Sequence, residues 1–208
     1  MLPHQNVVFR LIWCIIASTT VNPGIPLSLG MLIYGAVECR IRREMEVLMP
    51  NQDVIRAVEQ LGVAYELIRI DPADAETVVF CQKYGYALHE SGNTIIVASK
   101  KAPKRFAACV VLAHTQLDVN KRVRKLMGVS KASFATAEEM HAATGMQVGG
   151  VTPFSLPTEW PLYVDERIMG LDWVVLGGGG RDTKIKIRPA VFSRLGAEIV
   201  PDLAIERP

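Results

Sequence analysis

The sequence predicts an α+β fold in which strands and helices are mixed within one domain. Three observations lead to this prediction. Segments with helical and strand periodicity alternate after residue 51, instead of forming separate all-α and all-β blocks. The 208 residues, 50% of them hydrophobic, are enough to bury one full core. No internal repeat, low-complexity tract or second linker follows Met45.

The first half of the domain is predicted from apolar spacing and from residues that end helices. Val54, Val58 and Leu61 share one face of a helix, and Gly62 ends it. Asp71 and Pro72 have the chemistry of a helix start. The expected elements are a helix over 53–61, a strand over 65–70, a helix from 71 to 85, and strands over 94–99 and 107–113.

The second half follows the same alternation. Residues 118–127 form an amphipathic pattern, with apolar positions inward and basic positions outward. Thr136 and Glu139 have the spacing of a capping box, and Gly145 ends the helix that they begin. The remaining expected elements are strands over 162–164, 173–176, 183–187 and 198–200, and a short helix over 189–195.

Residues 1–44 have a different character from the domain that follows over 45–208. The stretch 11–37 is mostly apolar, but polar residues and prolines interrupt it. No clean run of about 20 apolar residues is left for a membrane-spanning helix. Three interpretations stay open: an N-terminal extension from an over-long predicted start, a hydrophobic membrane or interface anchor, and a folded addition.

Charge and cysteine usage set limits on the function. A net charge of +2 neither supports nor excludes a nucleic-acid partner. The four cysteines are widely spaced and have no neighbouring histidine cluster, so we expect no metal site. We also expect no cofactor. The interpretation that fits is a set of reduced core thiols in a cytoplasmic protein.

Residues 145–154, which read G-M-Q-V-G-G-V-T-P-F, carry the most functional information. Gly149 and Gly150 make the backbone permissive, whereas Pro153 fixes its own φ and pushes Thr152 toward extended geometry. This pattern predicts a rigid loop with bare backbone N–H groups, as an oxyanion site or a nucleotide cradle requires. The alternative is an ordinary tight turn.

Two later segments follow this loop in a characteristic order. They are Tyr163-Val164-Asp165, and a glycine run that ends in Arg181 before the strand over 183–187. In this order the chain resembles the YbaK/ProRS-type editing domain family, over roughly residues 51–205. The resemblance implies a mixed, partly closed β-sheet or barrel with surrounding helices. It also implies a cytoplasmic, trans-acting aminoacyl-tRNA deacylase, which hydrolyses the ester of mischarged tRNA.

The resemblance also implies the site residues. The catalytic set would be Asn93, Gly149, Gly150, Val151, Thr152 and Pro153. The substrate-binding set would be Thr94, Asp165, Gly178, Gly179, Gly180 and Arg181. One departure stands out, because the family usually has a lysine where this chain has Asn93, and an amide brings no positive charge. Asp165 could equally be a turn or cap residue, and Arg181 a solvated turn residue.

The implied partners are the acceptor end of mischarged tRNA and an aminoacyl-tRNA synthetase, with a membrane only if residues 1–44 are an anchor. Basic runs at 100–105 and 121–125 could contact the acceptor stem, although a solvated charged face is the commoner case. An ester is already activated, so no protein nucleophile is required. Two other functions stay open: a non-catalytic module that binds an amino acid, nucleotide or tRNA end, and a membrane-associated regulator.

Overall fold

The computed structural model describes residues 52–206, so the three interpretations of residues 1–44 lie outside the described part of the chain. The α-helices within it are Gln52–Gln60 (α1), Thr77–Tyr84 (α2), Arg124–Leu126 (α3), Ala137–Thr144 (α4) and Val191–Arg194 (α5). The strands are Tyr65–Arg69 (β1), Gly92–Ser99 (β2), Phe106–Leu112 (β3), Thr115–Leu117 (β4), Ala132–Phe134 (β5), Leu162–Asp165 (β6), Val174–Gly177 (β7), Thr183–Ile187 (β8), Glu198–Val200 (β9) and Ala204–Glu206 (β10).

The strands form a mixed α+β architecture, as the sequence predicts. The largest sheet has the order β5-β2-β3-β6-β9, with antiparallel pairs around β2 and parallel pairs around β6. A second sheet has the order β1-β8-β7, and a small one pairs β10 with β4. A parallel bridge between Ser91 and Val175 joins the start of β2 to β7. The described strands therefore form linked sheets and not one closed barrel.

The two faces of the largest sheet bury different parts of the core. Ile96 and Val110 belong to the larger apolar cluster, whereas Val97 and Cys109 belong to the smaller one. This division follows from the alternation of side chains along a strand. In the same register Asn93 pairs with Val111 and Thr94 with Val110.

The single helix predicted from residue 71 to 85 is divided in two. A 3-10 turn occupies Pro72–Asp74, where the Asp71 carboxylate accepts a hydrogen bond from the N–H of Ala73 at 2.9 Å. Glu76 then takes extended dihedral angles before α2 begins. The prediction of one helix was wrong here. The 3-10 turn that Asp71 caps ends at Asp74, and the extended backbone at Glu76 interrupts the chain before α2. The carbonyl of Ala75 therefore lies outside a helix.

The helix predicted over 118–127 is also modified. A π-helical turn covers Val119–Val123, and α3 continues it for three residues. Its first bond runs from the N–H of Val123 to the carbonyl of Asp118 at 3.0 Å, five residues back. The amphipathic prediction is confirmed, since Val119 and Val123 are buried and Lys125 is exposed.

Helix ends are the best-predicted local features. Gly62, Gly85 and Gly145 all have positive φ after a helix. The capping box is present, with Thr136 Oγ1 accepting from the N–H of Glu139 at 3.2 Å and the Glu139 carboxylate accepting in return at 3.1 Å. Sequence patterns missed β4, β5 and β10, which have three residues each, a length at which a period is weak; β9 has the same length and was predicted.

Two further observations concern the helices and the cysteines of the described residues. Among residues 52–206 we find no helix with both the length and the apolar character needed to cross a membrane. Cys81 and Cys109 are free, buried thiols, and burial raises the pKa of Cys109 to about 12. The Cys109 thiol is therefore a core group and not a reactive one.

Candidate active site

The two glycine runs singled out in the sequence pack against each other. A Cβ atom on Gly150 would lie 2.1 Å from the carbonyl oxygen of Gly180, and one on Gly177 would lie 2.3 Å from that of Val151. The N–H of Gly179 donates to the carbonyl of Gly150 at 2.6 Å. Only glycine permits this approach of backbone to backbone. We call this contact the glycine junction; its members are Gly149, Gly150, Gly177, Gly178, Gly179 and Gly180.

Only some of the backbone N–H groups of the loop donate hydrogen bonds within the protein. The N–H of Gly150 donates to the carbonyl of Gln147 at 2.9 Å and closes a turn, so the prediction of a bare donor is wrong at this position. The N–H groups of Gly149 and Val151 have no acceptor among residues 52–206. Gly149 has a φ of +90°, which few other residues adopt. Of the three glycine and valine N–H groups at positions 149–151, the loop therefore keeps two without an acceptor.

The end of the loop is buried and holds an unsatisfied hydroxyl. Thr152 is fully buried, and its Oγ1 has no hydrogen-bond partner among the described residues. Thr94 Oγ1, on β2, also has no hydrogen-bond partner among the described residues. A buried polar atom without a partner costs about 1–3 kcal/mol, so a water or a ligand that supplies the missing bond is favoured there. Pro153 is buried beside Thr152 and fixes the backbone there.

Arg181 connects this loop to the 3-10 turn that precedes α2. Its Nη1 donates to the carbonyl of Val148 at 2.9 Å, and its Nε donates to the carbonyl of Pro72 at 3.2 Å. Both acceptors are backbone groups on segments far apart in sequence. Arg181 is thus more than a solvated turn residue, because two backbone carbonyls hold its side chain. These two bonds also leave fewer of its N–H groups available to a phosphate.

Lys184 belongs to the same neighbourhood and was missed by sequence reasoning. It is only 5% exposed, and its Nζ donates to the carbonyls of Ala75 at 2.7 Å and Gly149 at 3.0 Å. Lys184 and Lys186 lie on one face of β8, within T-K-I-K-I. The sequence pattern cannot distinguish the two lysines, because the burial of Lys184 depends on its contacts with α2 and with the loop at Gly149.

Asn93 and Thr94 do not face one pocket. Successive strand residues point to opposite sides, and their cross-strand partners belong to different core clusters. The Oδ1 atom of Asn93 accepts a hydrogen bond from Thr77 Oγ1 at 2.6 Å, at the start of α2. Asn93 therefore lies on the α2 side of the sheet, whereas Thr94 faces the larger core cluster.

Asp165 is a structural residue in this geometry. It is fully buried, and Arg167 binds it with both Nε at 2.7 Å and Nη2 at 2.8 Å. It also accepts from the N–H groups of Arg167 and Ala204, both at 3.1 Å. Burial raises the pKa of Asp165, but the bonds from Arg167 outweigh that effect and the net direction is downward. With all these bonds made, the capping alternative is favoured over substrate binding.

The chemistry of the neighbourhood is that of backbone donors, hydroxyls and one buried ammonium group. Within residues 52–206, no three side chains of the metal-ligating types come together to hold an ion. The loop, the second glycine run and Arg181 are in contact with one another. Asn93 is tied to the start of α2, and Asp165 is engaged elsewhere.

Comparison with known proteins now identifies the family. A family model described as the aminoacyl-tRNA editing domain matches residues 72–195, which include the loop, the glycine junction, Arg181 and Lys184. Because the match covers more than half of the chain, the protein belongs to the aminoacyl-tRNA editing domain family. The resemblance inferred from the sequence is confirmed, and with it an editing type of activity for the family.

Individual relatives agree with the family match. EbsC of Enterococcus faecalis, to which Cys-tRNA(Pro)/Cys-tRNA(Cys) deacylase activity is attributed, is 25% identical over 148 residues, covering 69% of this chain and 87% of that protein. A crystal structure of a hypothetical protein has a TM-score of 0.67 at 24% identity and covers 74% of this chain and all of its own. A protein described as a trans-editing enzyme for prolyl-tRNA synthetase has a TM-score of 0.65 at 22% identity, covering 76% of this chain and 99% of its own. These two likenesses support the fold.

Proposed function

We propose that this protein is a trans-acting aminoacyl-tRNA deacylase, which hydrolyses the ester bond between a wrong amino acid and the terminal ribose of tRNA. The glycine junction carries the proposal. It lies inside the matched family segment, and it leaves the N–H groups of Gly149 and Val151 without an acceptor in the described chain. Preorganised backbone donors of this kind stabilise the oxyanion of an acyl-transfer intermediate.

The reaction would proceed by addition of water to the ester carbonyl carbon. The carbonyl electron pair moves to oxygen, and the N–H groups of Gly149 and Val151 donate to that oxyanion. The bond to the ribose oxygen then breaks, and the ribose oxygen takes up a proton that derives from the water. The unpartnered Thr152 hydroxyl would orient the ester or the water. No protein nucleophile takes part, and the ester supplies its own leaving group.

The expected site residues have different parts in this proposal. Gly149, Val151, Thr152 and Pro153 would form the reacting side of the site, while Gly150 and the second glycine run give the loop its shape. Arg181 holds the loop in place through Val148. Asn93 would contact the substrate from the α2 side. Asp165 has no part in it.

A basic surface at the other end of β2 would hold the tRNA. We define the basic surface as Lys100, Lys101, Arg105, Lys121, Arg124, Lys125 and Lys131, all of which are exposed. The N–H of Lys100 donates to the carbonyl of Lys131 at 3.0 Å, which brings the β2–β3 connection to the start of β5. Two nearby acidic groups are already engaged, because Glu139 pairs with Lys104 and Asp118 caps the turn at Lys121.

The position of the basic surface fits an extended RNA. Residues 93 and 99 are six apart on β2, which corresponds to roughly 20 Å at the rise of a strand. A ligand bound through its terminal adenosine near Asn93 would then place its stem along the lysines and arginines beyond Ser99. Phosphate contacts of this kind contribute affinity without sequence specificity.

Hydrolysis of a panel of mischarged tRNAs by the full chain tests the activity. Cys-tRNA(Pro) belongs in it, because the named relatives concern cysteine and prolyl-tRNA synthetase. Ala-tRNA(Pro), whose side chain is smaller by one sulfur atom, tests selection by size. Correctly charged Pro-tRNA(Pro) is the control substrate. Release of amino acid from a mischarged substrate above the uncatalysed rate supports the proposal. Binding of the panel without hydrolysis of any ester would replace it with the non-catalytic binding module.

A salt series separates the basic surface from the reacting pocket. Lys121→Glu with Lys125→Glu should reduce the slope of log K against log salt for tRNA, since each lost phosphate contact removes roughly 0.7–0.9 from it. Hydrolysis of a minimal aminoacyl-adenosine ester should change little. Glu159→Gln with Glu166→Gln, at exposed acidic positions elsewhere, is the matched control. An unchanged salt slope in the double lysine variant would place the tRNA on another surface.

The partner and the compartment complete the proposal. A prolyl-tRNA synthetase is the partner that the described trans-editing relative suggests, and co-migration with it in the presence of tRNA is the test. We place the activity in the cytoplasm, where aminoacyl-tRNA is used. The division into an N-terminal extension over 1–44 and an editing domain over 45–208 stays a proposal.

A further inference from the structure

Lys184 is a buried cation without a carboxylate partner. It is 5% exposed, and no acidic side chain among residues 52–206 forms an ion pair with it. A charged lysine has three N–H donors, and two of them bind the carbonyls of Ala75 and Gly149. The third has no acceptor in the described chain. A buried charge with an unused donor is costly, which makes it a candidate for ligand binding.

The groups around the Lys184 ammonium explain why its pKa is lowered. Its Nζ lies 5.6 Å from the ring centre of Phe80, so one side is aromatic. Burial lowers the pKa of Lys184 to about 8, Glu76 and Cys81 oppose this shift, and Arg181 adds to it. The neutral amine keeps two N–H donors, the number that the two carbonyls accept. Lys184 is thus able to change its charge without losing either of its loop contacts.

Lys184 and Asn93 approach the same short segment from different strands. Lys184 binds the carbonyl of Ala75, and Asn93 binds the hydroxyl of Thr77, two residues further along the chain. Lys184 also binds the carbonyl of Gly149, whose own N–H is one of the two free donors of the loop. The ammonium group therefore contacts the loop residue that carries one of the two free N–H donors, and it contacts the short segment that Asn93 also contacts.

We propose that Lys184 supplies the positive charge of this active site, with its third N–H donating to the ester oxygen that becomes negative when water adds. This inference rests on the proposed deacylase function. The charge reaches the site from β8, whereas Asn93 on β2 contributes an amide. Water still provides the new C–O bond and the proton for the ribose oxygen, and Lys184 neither gains nor loses a proton overall.

The pH dependence of deacylation tests this role. After subtraction of the uncatalysed rate, kcat/KM of the full chain should fall above about pH 8 as Lys184 loses its proton. Lys184→Met should lose about 10²–10³-fold in kcat and also lose that pH step. Lys184→Arg should retain part of the rate with no step, because a guanidinium stays charged. Lys186→Met is the matched control: Lys186 lies two residues away on the same face, against Trp173 and Glu66.

A second measurement remains decisive if the variants do not fold. In the wild-type protein the Lys184 amine is titrated by NMR, with and without a hydrolysis-resistant amide of cysteine or alanine on 3′-aminoadenosine. Donation to the ligand raises the pKa of Lys184 when the amide binds. A lysine that only holds the loops shows the same titration with and without bound amide, and that result overturns the inference. So does a wild-type rate and pH profile in folded Lys184→Met. Absence of hydrolysis by the wild type would instead reject the deacylase function.

Discussion

Two buried charges, Asp165 and Lys184, are satisfied in opposite ways. Asp165 has a bidentate bond from Arg167 and two backbone N–H donors, so every side of the carboxylate is used. Lys184 has two carbonyl partners, and no carboxylate within residues 52–206 forms an ion pair with it, although Glu76 favours its charged form from a longer distance. The first arrangement stabilises one geometry of the chain. The second leaves one N–H donor for a ligand. Asp165 is therefore a structural residue, and Lys184 is a candidate active-site residue.

Removal of the Asp165 carboxylate should give the largest effect on stability. Asp165→Ala leaves Arg167 without its partner and frees the N–H of Ala204, so we expect a loss of about 3–5 kcal/mol in the free energy of unfolding. Activity per folded molecule should persist. Urea unfolding measures the first and ester hydrolysis the second. Asp172→Ala, at an exposed position, is the control and should change neither. Loss of turnover in a folded Asp165 variant would return Asp165 to the site.

The pH dependence of stability should differ between the two charges. The folded pKa of Asp165 is lowered from 3.8, so its stabilisation is present above that value and lost as the pH falls through the folded pKa. Lys184 has a folded pKa of about 8 against 10.5 when unfolded. Between these values the unfolded chain binds the extra proton, so the free energy of unfolding rises with pH, by up to about 3 kcal/mol.

The difference between wild type and Lys184→Met isolates this effect. Urea unfolding at pH 7.5, 9 and 10 should show a rise in the wild type that the variant lacks. Equal pH slopes in the two proteins would mean that Lys184 is not a perturbed buried amine. Asp165 and Lys184 would then differ less in how they affect stability than their contacts indicate.

Gly150→Ala should destabilise the glycine junction by an intermediate amount. A Cβ atom there would meet the carbonyl of Gly180, so the loop has to shift, at about 1–3 kcal/mol. The shift also moves the N–H groups of Gly149 and Val151, and hydrolysis should fall together with stability. Gly170→Ala is the matched control, because nothing lies near its added Cβ and its φ is not positive. Normal stability and turnover in Gly150→Ala would contradict the packing.

Asn93→Lys should have the smallest effect on stability and an informative one on activity. The substitution removes the acceptor for Thr77, at about 0.5–1.5 kcal/mol. A second cation near Lys184 should lower the pKa of Lys184 further by repulsion, so the pH step in kcat/KM should move to lower pH. Asn93→Gln, which keeps the amide, is the control and should leave the step in place. A step at the same pH in both variants would place residue 93 away from Lys184.

The sequence predicted the local features that depend on single residues. Gly62, Gly85 and Gly145 end helices because they accept positive φ, and the Thr136–Glu139 box begins one because both partners lie within one turn. The loop of the candidate site was predicted for the same reason. The resemblance carried by three ordered segments was sufficient for the family, which the family match confirms, and for the fold class, which the structure and its likeness to solved structures confirm.

Only the tertiary structure determined which groups are paired. That the N–H of Gly150 is engaged, that the two glycine runs touch, and that Asp165 meets the N–H of Ala204 all depend on contacts between distant segments. Lys184 and Lys186 have the same place in the strand pattern. Lys184 is nevertheless buried against α2 and the loop at Gly149, whereas Lys186 forms an ion pair with Glu66. Burial and counter-charge are properties of the folded neighbourhood, and they decide whether a polar side chain stabilises the fold or remains able to bind a substrate.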